Sequence, residues 1–283
     1  MRKFYLTLGG GLGDVFWTYF GGHNGWNKLE LVKQKFPKCE IKVLSSTHNP
    51  QTKELLKYHP NINKFEEYGW TLNGKPIWEQ HKQDYTPLKE EILIKTKPNK
   101  IYLNEEDNTQ IKEITSKGPF ILIHPFAGER QRLSLYSKEW IPIIEALLKN
   151  TNFNIVIIGG NYTRINRKRH ISKSEELNYS SNRVFNLINK TNARICSFLV
   201  NKQDSFIGTW SAYACLSWIY NKPNTIILPK KQNKILREKK QGKGKRWHQK
   251  NIRTITTPLS IIRQDRSINI DNIIRQVIEN YNG

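Results

Sequence analysis

An apolar strand, Phe4-Tyr5-Leu6-Thr7-Leu8, runs straight into Gly9-Gly10-Gly11-Leu12-Gly13-Asp14, a glycine turn that ends on a carboxylate. Glycines at a strand end let the backbone turn sharply and approach a ligand, and the following helix points its first N–H groups at whatever lies there. An acid at that spot repels a phosphate but suits a hydroxyl that must be held or deprotonated. Asp14 is therefore the leading general-base candidate, with helix capping as its structural alternative. His23, inside Gly21-Gly22-His23-Asn24-Gly25, is the second candidate. His124 is the third, and because it closes an apolar strand, a backbone-bonded structural role competes with catalysis there.

Cations form the other chemical signal. Residues 230–250 hold ten Lys/Arg against one Glu, with Gly242, Gly244 and Trp247 interleaved. A second cluster, Arg164, Arg167, Lys168, Arg169 and Lys173, follows Gly159-Gly160. The whole chain of 283 residues carries 46 Lys+Arg against 24 Asp+Glu, a net charge of +22. Such a field draws polyanions: nucleic acid, anionic membrane surfaces or phosphorylated glycans. A solvated lysine-rich face is the plain alternative for either run alone. Two runs on one rim instead suggest a track for a phosphate backbone, with Arg164, Arg167, Lys168, Arg169, Lys239, Lys240, Lys243, Lys245 and Arg246 on phosphates. Trp247 is then available to stack on a base.

Cys39, Cys196 and Cys215 have no metal-ligand spacing and fit small apolar packing residues in a reducing compartment. The chain has no Asp-x-Asp pair and no clustered His and Cys, so no metal site is expected. There is neither a run of 18 apolar residues nor a signal-peptide profile, which points to a cytoplasmic protein without a transmembrane segment.

The elements that must position these groups alternate between strand and helix. Phe120-Ile121-Leu122-Ile123-His124, ended by Pro125 and Gly128, predicts a buried strand. Trp140, Ile143, Ile144, Leu147 and Leu148 recur at helical spacing over 136–149. Strands follow at 154–158, 184–187, 205–207 and 225–228, with helices at 192–201 and 212–220. The first half has the same rhythm: a helix after Asp14 broken at the Gly21–Gly25 stretch and resuming over 26–36, a strand at 41–44 and a short helix at 53–58. Residues 66–90 show turns and aromatics without periodicity. A final amphipathic helix over 270–281 sets Ile273, Ile274, Val277 and Ile278 on one face and packs back on the fold. The prediction is an α/β protein of two Rossmann-like domains, 1–117 and 118–283, facing across a cleft, with ligands at the carboxyl ends of the strands.

The motifs resemble those of the family 9 glycosyltransferases, the heptosyltransferase type with the GT-B fold. Gly11-Leu12-Gly13-Asp14 is similar to the family's opening glycine loop and acid. Leu55-Leu56-Lys57-Tyr58-His59-Pro60-Asn61-Ile62 resembles its segment before the third strand. Ile123-His124-Pro125-Phe126-Ala127-Gly128 looks like its "HPGAG" loop, with Arg130 and Arg132 near the basic phosphate ligand. Asp204 to Ser211 and Lys222-Pro223 resemble its "D-x-x-I-G-x-D-S-G … G-K-P" stretch. The chain departs from the family at Trp210-Ser211-Ala212-Tyr213, where an acid followed by Ser-Gly-Pro is usual, and at Cys215, where a histidine is usual. An indole stacks and donates but accepts nothing from a sugar hydroxyl, so an ADP-heptose donor is not inherited with the motif.

The resemblance implies inverting, metal-independent transfer from a nucleotide diphosphate sugar, which is a donor substrate and not a cofactor. The first domain would hold the acceptor and the second the donor, with 230–250 a basic loop over the acceptor. Gly11, Gly13, His124, Arg130, Arg132, Gly160, Gly208, Thr209, Trp210, Ser211 and Ala212 are the implied donor residues. The charge suggests a polyanionic acceptor, foremost the hydroxymethylated DNA of bacteriophages, which would place the enzyme in the host cytoplasm. A lipopolysaccharide or surface-glycan transferase docking on anionic membrane is the alternative, with Trp70 and Trp78 as docking aromatics. A non-catalytic nucleic-acid-binding protein on a transferase scaffold is the third reading.

Overall fold

A computed structural model describes residues 3–8, 12–19, 28–46, 50–68, 71–72, 75–76, 100–126, 135, 137–160, 162–165, 168–171, 177–209, 211–229, 259–264 and 269–282. The chain divides into two compact units, one of Met1–Gln110 with Asn192–Phe198, the other of Ile111–Thr191 with Leu199–Gly283.

In the first unit β1 (Lys3–Leu8), β2 (Glu40–Ser46) and β3 (Lys64–Tyr68) pair in parallel in that order. Three helices fill the connections: α1 (Leu12–Tyr19), α2 (Lys28–Lys35) and α3 (Pro50–Leu56). They bury Val15 and Phe16, Leu29 and Val32, and Leu55 and Leu56, positions that fall within the broad apolar stripe of each helix. The family-like segment after α3 is a tight turn into β3. Asn61 N–H donates to Nδ1 of the buried His59 at 3.2 Å. Asn63 then bonds Ile41 in both directions, through its N–H (2.9 Å) and its side-chain oxygen (2.8 Å), which fixes where β3 joins β2. Among the described residues of the aromatic stretch beyond, β4 (Thr71–Leu72) pairs antiparallel with β5 (Lys75–Pro76).

Helix α4 (Glu105–Ser116), which periodicity alone does not reveal, starts on a reciprocal cap. Asp107 N–H donates to the Asn104 side chain at 2.7 Å, and Asn104 N–H donates to the Asp107 carboxylate at 3.3 Å. The division between units falls inside this helix, after Gln110.

The second unit is a six-stranded sheet, all parallel. It contains β6 (Phe120–His124), β7 (Asn154–Ile157), β10 (Val184–Asn186), β11 (Ser205–Gly208), β12 (Asn224–Pro229) and β13 (Leu259–Gln264). Their spatial order is β10-β7-β6-β11-β12-β13. Counted along the chain this is third, second, first, fourth, fifth, sixth, the order of a dinucleotide-binding sheet. Helices α5 (Ser137–Asn150), α6 (Ala193–Lys202), α7 (Ala212–Ile219) and α8 (Ile270–Asn282) complete the alternation. Every residue of β6 is buried, as a strand covered on both faces requires. Trp140, Ile143, Ile144 and Leu147 of α5 are fully buried at the expected spacing. Asp204 ties the base of the sheet: its carboxylate accepts Phe120 N–H at 2.9 Å while its own N–H donates to Phe120 O at 3.1 Å.

Three differences from the sequence reading have local causes. Helix α8 packs on α5, β11, β12 and β13 through Ile273, Ile274 and Val277, but Ile278 is exposed. It lies about 140° around the helix from Ile273, and the buried position in that turn goes to Asn280, which donates to Asn224 O (3.0 Å) and Thr225 Oγ1 (3.1 Å). Strand β13 was missed because it is a short apolar run beside a basic stretch, and only its pairing with β12 identifies it. After β7 the basic cluster forms an antiparallel ribbon, β8 (Tyr162–Ile165) with β9 (Lys168–Ile171), where only a strand end with trailing charges was expected. Cys39, Cys196 and Cys215 are buried and not in disulfides.

Candidate functional site

In a doubly wound sheet, neighbouring strands whose connections depart to opposite sides leave a crevice beyond their carboxyl ends. Here those strands are β6 and β11, paired Ser205↔Ile121 through Gly208↔His124. The rim therefore consists of His124, Gly208 and the residues that follow each.

Backbone contact there is close. A Cβ on Gly208 would lie 2.5 Å from the His124 carbonyl oxygen and 3.1 Å from the Phe206 ring. Thr209 N–H donates to that same carbonyl at 3.3 Å. This amide is thereby engaged in the sheet. The N–H groups that can face an anion are those opening α7. Ser211 caps this helix, its Oγ accepting from Ala214 N–H at 3.3 Å, and Ala212 is its first residue. The aligned peptide dipoles make that end positive.

His124 is enclosed. Its ring meets Tyr213 edge-on with centroids 5.0 Å apart. Gly159, at φ +144°, brings its backbone so near that a Cβ would lie 3.6 Å from the imidazole. Burial holds the His124 pKa down to about 4, so the ring is neutral at pH 7. Its Nδ1 is buried without a hydrogen-bond partner among the described residues. Gly160 follows beside Asn189, which takes a left-handed conformation (φ 61°) and donates its N–H to Gly159 O at 3.0 Å. Tyr213, Gly159 and Asn189 thus shape this rim; a glycine at a strand end signals the second of them, while Tyr213 and Asn189 need the fold.

The arrangement can bind an anion and present it to polar backbone. Among the described residues that form this rim, no side chain is an ionised acid or base. Among the described residues no group of three His, Cys, Asp or Glu side chains is placed to hold a metal. No helix among them is long and apolar enough to cross a membrane.

Over 99% of its length the chain superposes on 98% of Escherichia coli ADP-heptose lipopolysaccharide heptosyltransferase II, with a TM-score of 0.62 and 10% identity. Escherichia coli heptosyltransferase WaaC with ADP matches at 0.55 and 11% identity, over 99% of this chain and 97% of that one. A family 9 glycosyl transferase from Veillonella parvula DSM 2008 matches at 0.53 and 12%, over 81% and 80% of the two chains. This chain has the fold of the family 9 glycosyltransferases. It is a mixed α/β, GT-B-type fold with parallel sheets. No protein-family model and no curated protein matches it in sequence.

Within that fold the candidate residues fall as follows. Asp14 is the third residue of α1, and Gly13 precedes it in the same helix. His124 ends β6, Gly208 ends β11, and Thr209, Ser211 and Ala212 lead into α7. Arg164, Lys168 and Arg169 lie on the β8–β9 ribbon. Gly11, His23, Arg130, Arg132, Arg167, Trp210 and all of 230–250, including Lys239, Lys240, Lys243, Lys245, Arg246 and Trp247, lie outside the described residues, as do Trp70 and Trp78.

The first unit holds a constellation that sequence reasoning missed. Arg194, 3% exposed, grips both oxygens of the buried Asp107 through Nε and Nη2. Its Nη1 donates to Glu54 through the carbonyl (2.9 Å) and the carboxylate (3.1 Å), and its Cζ sits 4.6 Å from the Tyr58 ring centre. Burial opposes the charge on Asp107, but Arg194, Asn104 N–H and Asn192 outweigh it and hold the carboxyl below its ordinary range. The partners lie 140 and 87 residues from Arg194, so no local pattern announces them.

Proposed function

We propose that this chain is an inverting glycosyltransferase that takes a sugar from a nucleotide diphosphate donor and passes it to a hydroxyl on a polyanionic acceptor, foremost hydroxymethylated DNA. The observation that carries the transferase reading is the β6/β11 crevice, with its glycine-enforced backbone approach, in a fold shared with heptosyltransferases. The acceptor reading is supported by the charge of +22 and the two cation-rich runs.

In this reading the second unit holds the donor and the first the acceptor, with the sequence boundary near residue 117. The start of α7, with Ser211 and with Arg130 or Arg132, takes the diphosphate. Asp14 accepts the proton from the acceptor hydroxyl as its oxygen attacks the anomeric carbon, and His23 stands second for that role. The anomeric C–O bond breaks, the electron pair leaves with the diphosphate, and cations and helix N–H groups stabilise the developing charge. No metal or cofactor is invoked.

The test is transfer of labelled sugar from a panel of nucleotide sugars to hydroxymethylated duplex DNA. Asp14→Asn should abolish transfer yet leave thermal protection by the donor in place. Protection by no nucleotide sugar in the wild-type chain would remove the transferase reading and favour a nucleic-acid-binding scaffold. A second acceptor, lipopolysaccharide core or another surface glycan, is favoured by the named activity of the superposed Escherichia coli enzyme. Sugar transfer to core glycan and not to DNA would select it.

A further inference from the structure

At the amino end of the second unit's sheet, away from the rim that carries the crevice, the side chains of Gln203, Ser217 and Asn224 are completely shielded from solvent. Gln203 stands between α6 and β11, Ser217 in the last turn of α7 and Asn224 at the start of β12. Hydrogen bonds join them. Gln203 Nε2 donates to Ser217 Oγ at 2.8 Å, Lys222 N–H donates to Ser217 O at 2.9 Å, and Asn224 Nδ2 donates to Lys222 O. Asn224 pairs with Phe206, and strand alternation turns both away from Ile207, which packs in the core with α5 and α8. Two acceptors of this group have no partner among the described residues, Gln203 Oε1 and Asn224 Oδ1. Ser205 Oγ, also unpaired, belongs to the Ile207 face and is not part of the group. Buried polar atoms are rarely left this way, because their lost hydration is not replaced. Turning the Gln203 amide over brings no relief: Oε1 would take the Ser217 proton, and Nε2 would be left with no acceptor.

What is missing defines the occupant. Two acceptors call for one molecule with two protons to give, and Ser217 Oγ, already accepting from Gln203, has a proton of its own to give back. Water meets all three demands, donating to Gln203 Oε1 and Asn224 Oδ1 and accepting from Ser217. Three bonds is also the usual number for a buried water. A cation is disfavoured. The ammonium groups of Lys202 and Lys222 act on one another here, against the single carboxylate of Asp204, which Phe120 N–H engages. An anion would meet bare acceptors. We propose that one buried water bridges Gln203, Ser217 and Asn224 and is a fixed part of the fold. It joins the end of α6, the last turn of α7 and the start of β12, and so holds the far end of the helix whose first N–H groups open on the crevice. The site is independent of what the crevice binds.

The experiment is magnetisation transfer from water to side-chain amide protons in the full, isotope-labelled chain. The Gln203 and Asn224 signals are assigned by their disappearance in Gln203→Met and Asn224→Met. Both amides should show a water cross-peak whose sign reverses between the laboratory and rotating frames, the mark of dipolar contact with a long-lived water and not of proton exchange. Gln203→Met should weaken the Asn224 cross-peak at least about twofold, because one of the water's three bonds is gone. Should either variant fail to fold, through-bond spectra of the wild type supply the assignment and its own cross-peaks carry the test. Water peaks to neither amide, or to one alone, overturn the bridge. Direct contact between the two amides with no water peak overturns it as well. In crystals, density within hydrogen-bond reach of all three side chains supports the water. An anomalous signal there after a thallium(I) soak would make the occupant a monovalent cation and overturn the proposal.

Discussion

His124 and Gly208 show how single residues set the crevice. An imidazole with a pKa near 4 in the folded chain and about 6.5 when unfolded takes up its proton first in the unfolded state as pH falls. Its contribution to stability is complete above about 6.5 and declines as pH drops toward 4, by roughly 1 kcal/mol per pH unit. His124→Phe should flatten the acid limb of urea-midpoint curves in that window; an unchanged limb would mean the histidine is hydrated after all. At Gly208 a methyl group would meet a backbone oxygen at 2.5 Å, and backbone cannot swing aside as a side chain does. Gly208→Ala should destabilise by about 1–3 kcal/mol or more and weaken donor protection beyond that loss, measured by melting with and without nucleotide. Its neighbour Trp210 cannot accept from a sugar; a Trp210→Asp variant that changes which donors protect would make this position the selector.

At the scale of elements, Arg194 stands in the part of α6 that belongs to the first unit and pairs there with Asp107 and Glu54. Removing one partner from a buried ion pair strands the other charge, at a cost of about 3–5 kcal/mol. Arg194→Ala should lower the urea midpoint accordingly, and Arg194→Met with Asp107→Leu should cost less than Arg194→Ala alone. The Asp107 carboxyl is held down by its partners, so this contribution is present above the ordinary carboxylate range and is lost as pH falls through its folded value. That window lies below the one His124 commands, and the two can be separated by the variants. On α8, Ile273→Ala should cost about 2–5 kcal/mol and Ile278→Ala under about 0.5 kcal/mol, since one is fully buried and the other exposed.

For the molecule as a whole, a net charge of +22 makes any binding of the proposed polyanionic acceptor dependent on salt. Donor protection, which depends on a few charge contacts in the crevice, should weaken only modestly with salt between 50 and about 200 mM, whereas duplex affinity should fall by orders of magnitude. Saturating donor at about 100 times its Kd should stabilise the chain by about 2.7 kcal/mol. Parallel slopes for donor and duplex would mean that one surface cation cluster serves both.

The strand–helix alternation was legible because burying a parallel sheet on both faces requires continuous apolar runs, and β6, β7, β11 and β12 carry them. The strand-end glycines and His124 were legible too, since sharp turns at strand ends restrict which residues can stand there. What no local pattern contains is pairing across distance. The placement of β13, the like-charged register of β8 and β9, the Asn280 contacts beneath the sheet and the Arg194–Asp107–Glu54 constellation each join residues far apart in the chain or set by strand register. Amino-acid order fixed the faces that must be buried; the tertiary structure alone decided which of them meet, because that choice is made by shape and charge compensation between elements whose sequences do not refer to one another.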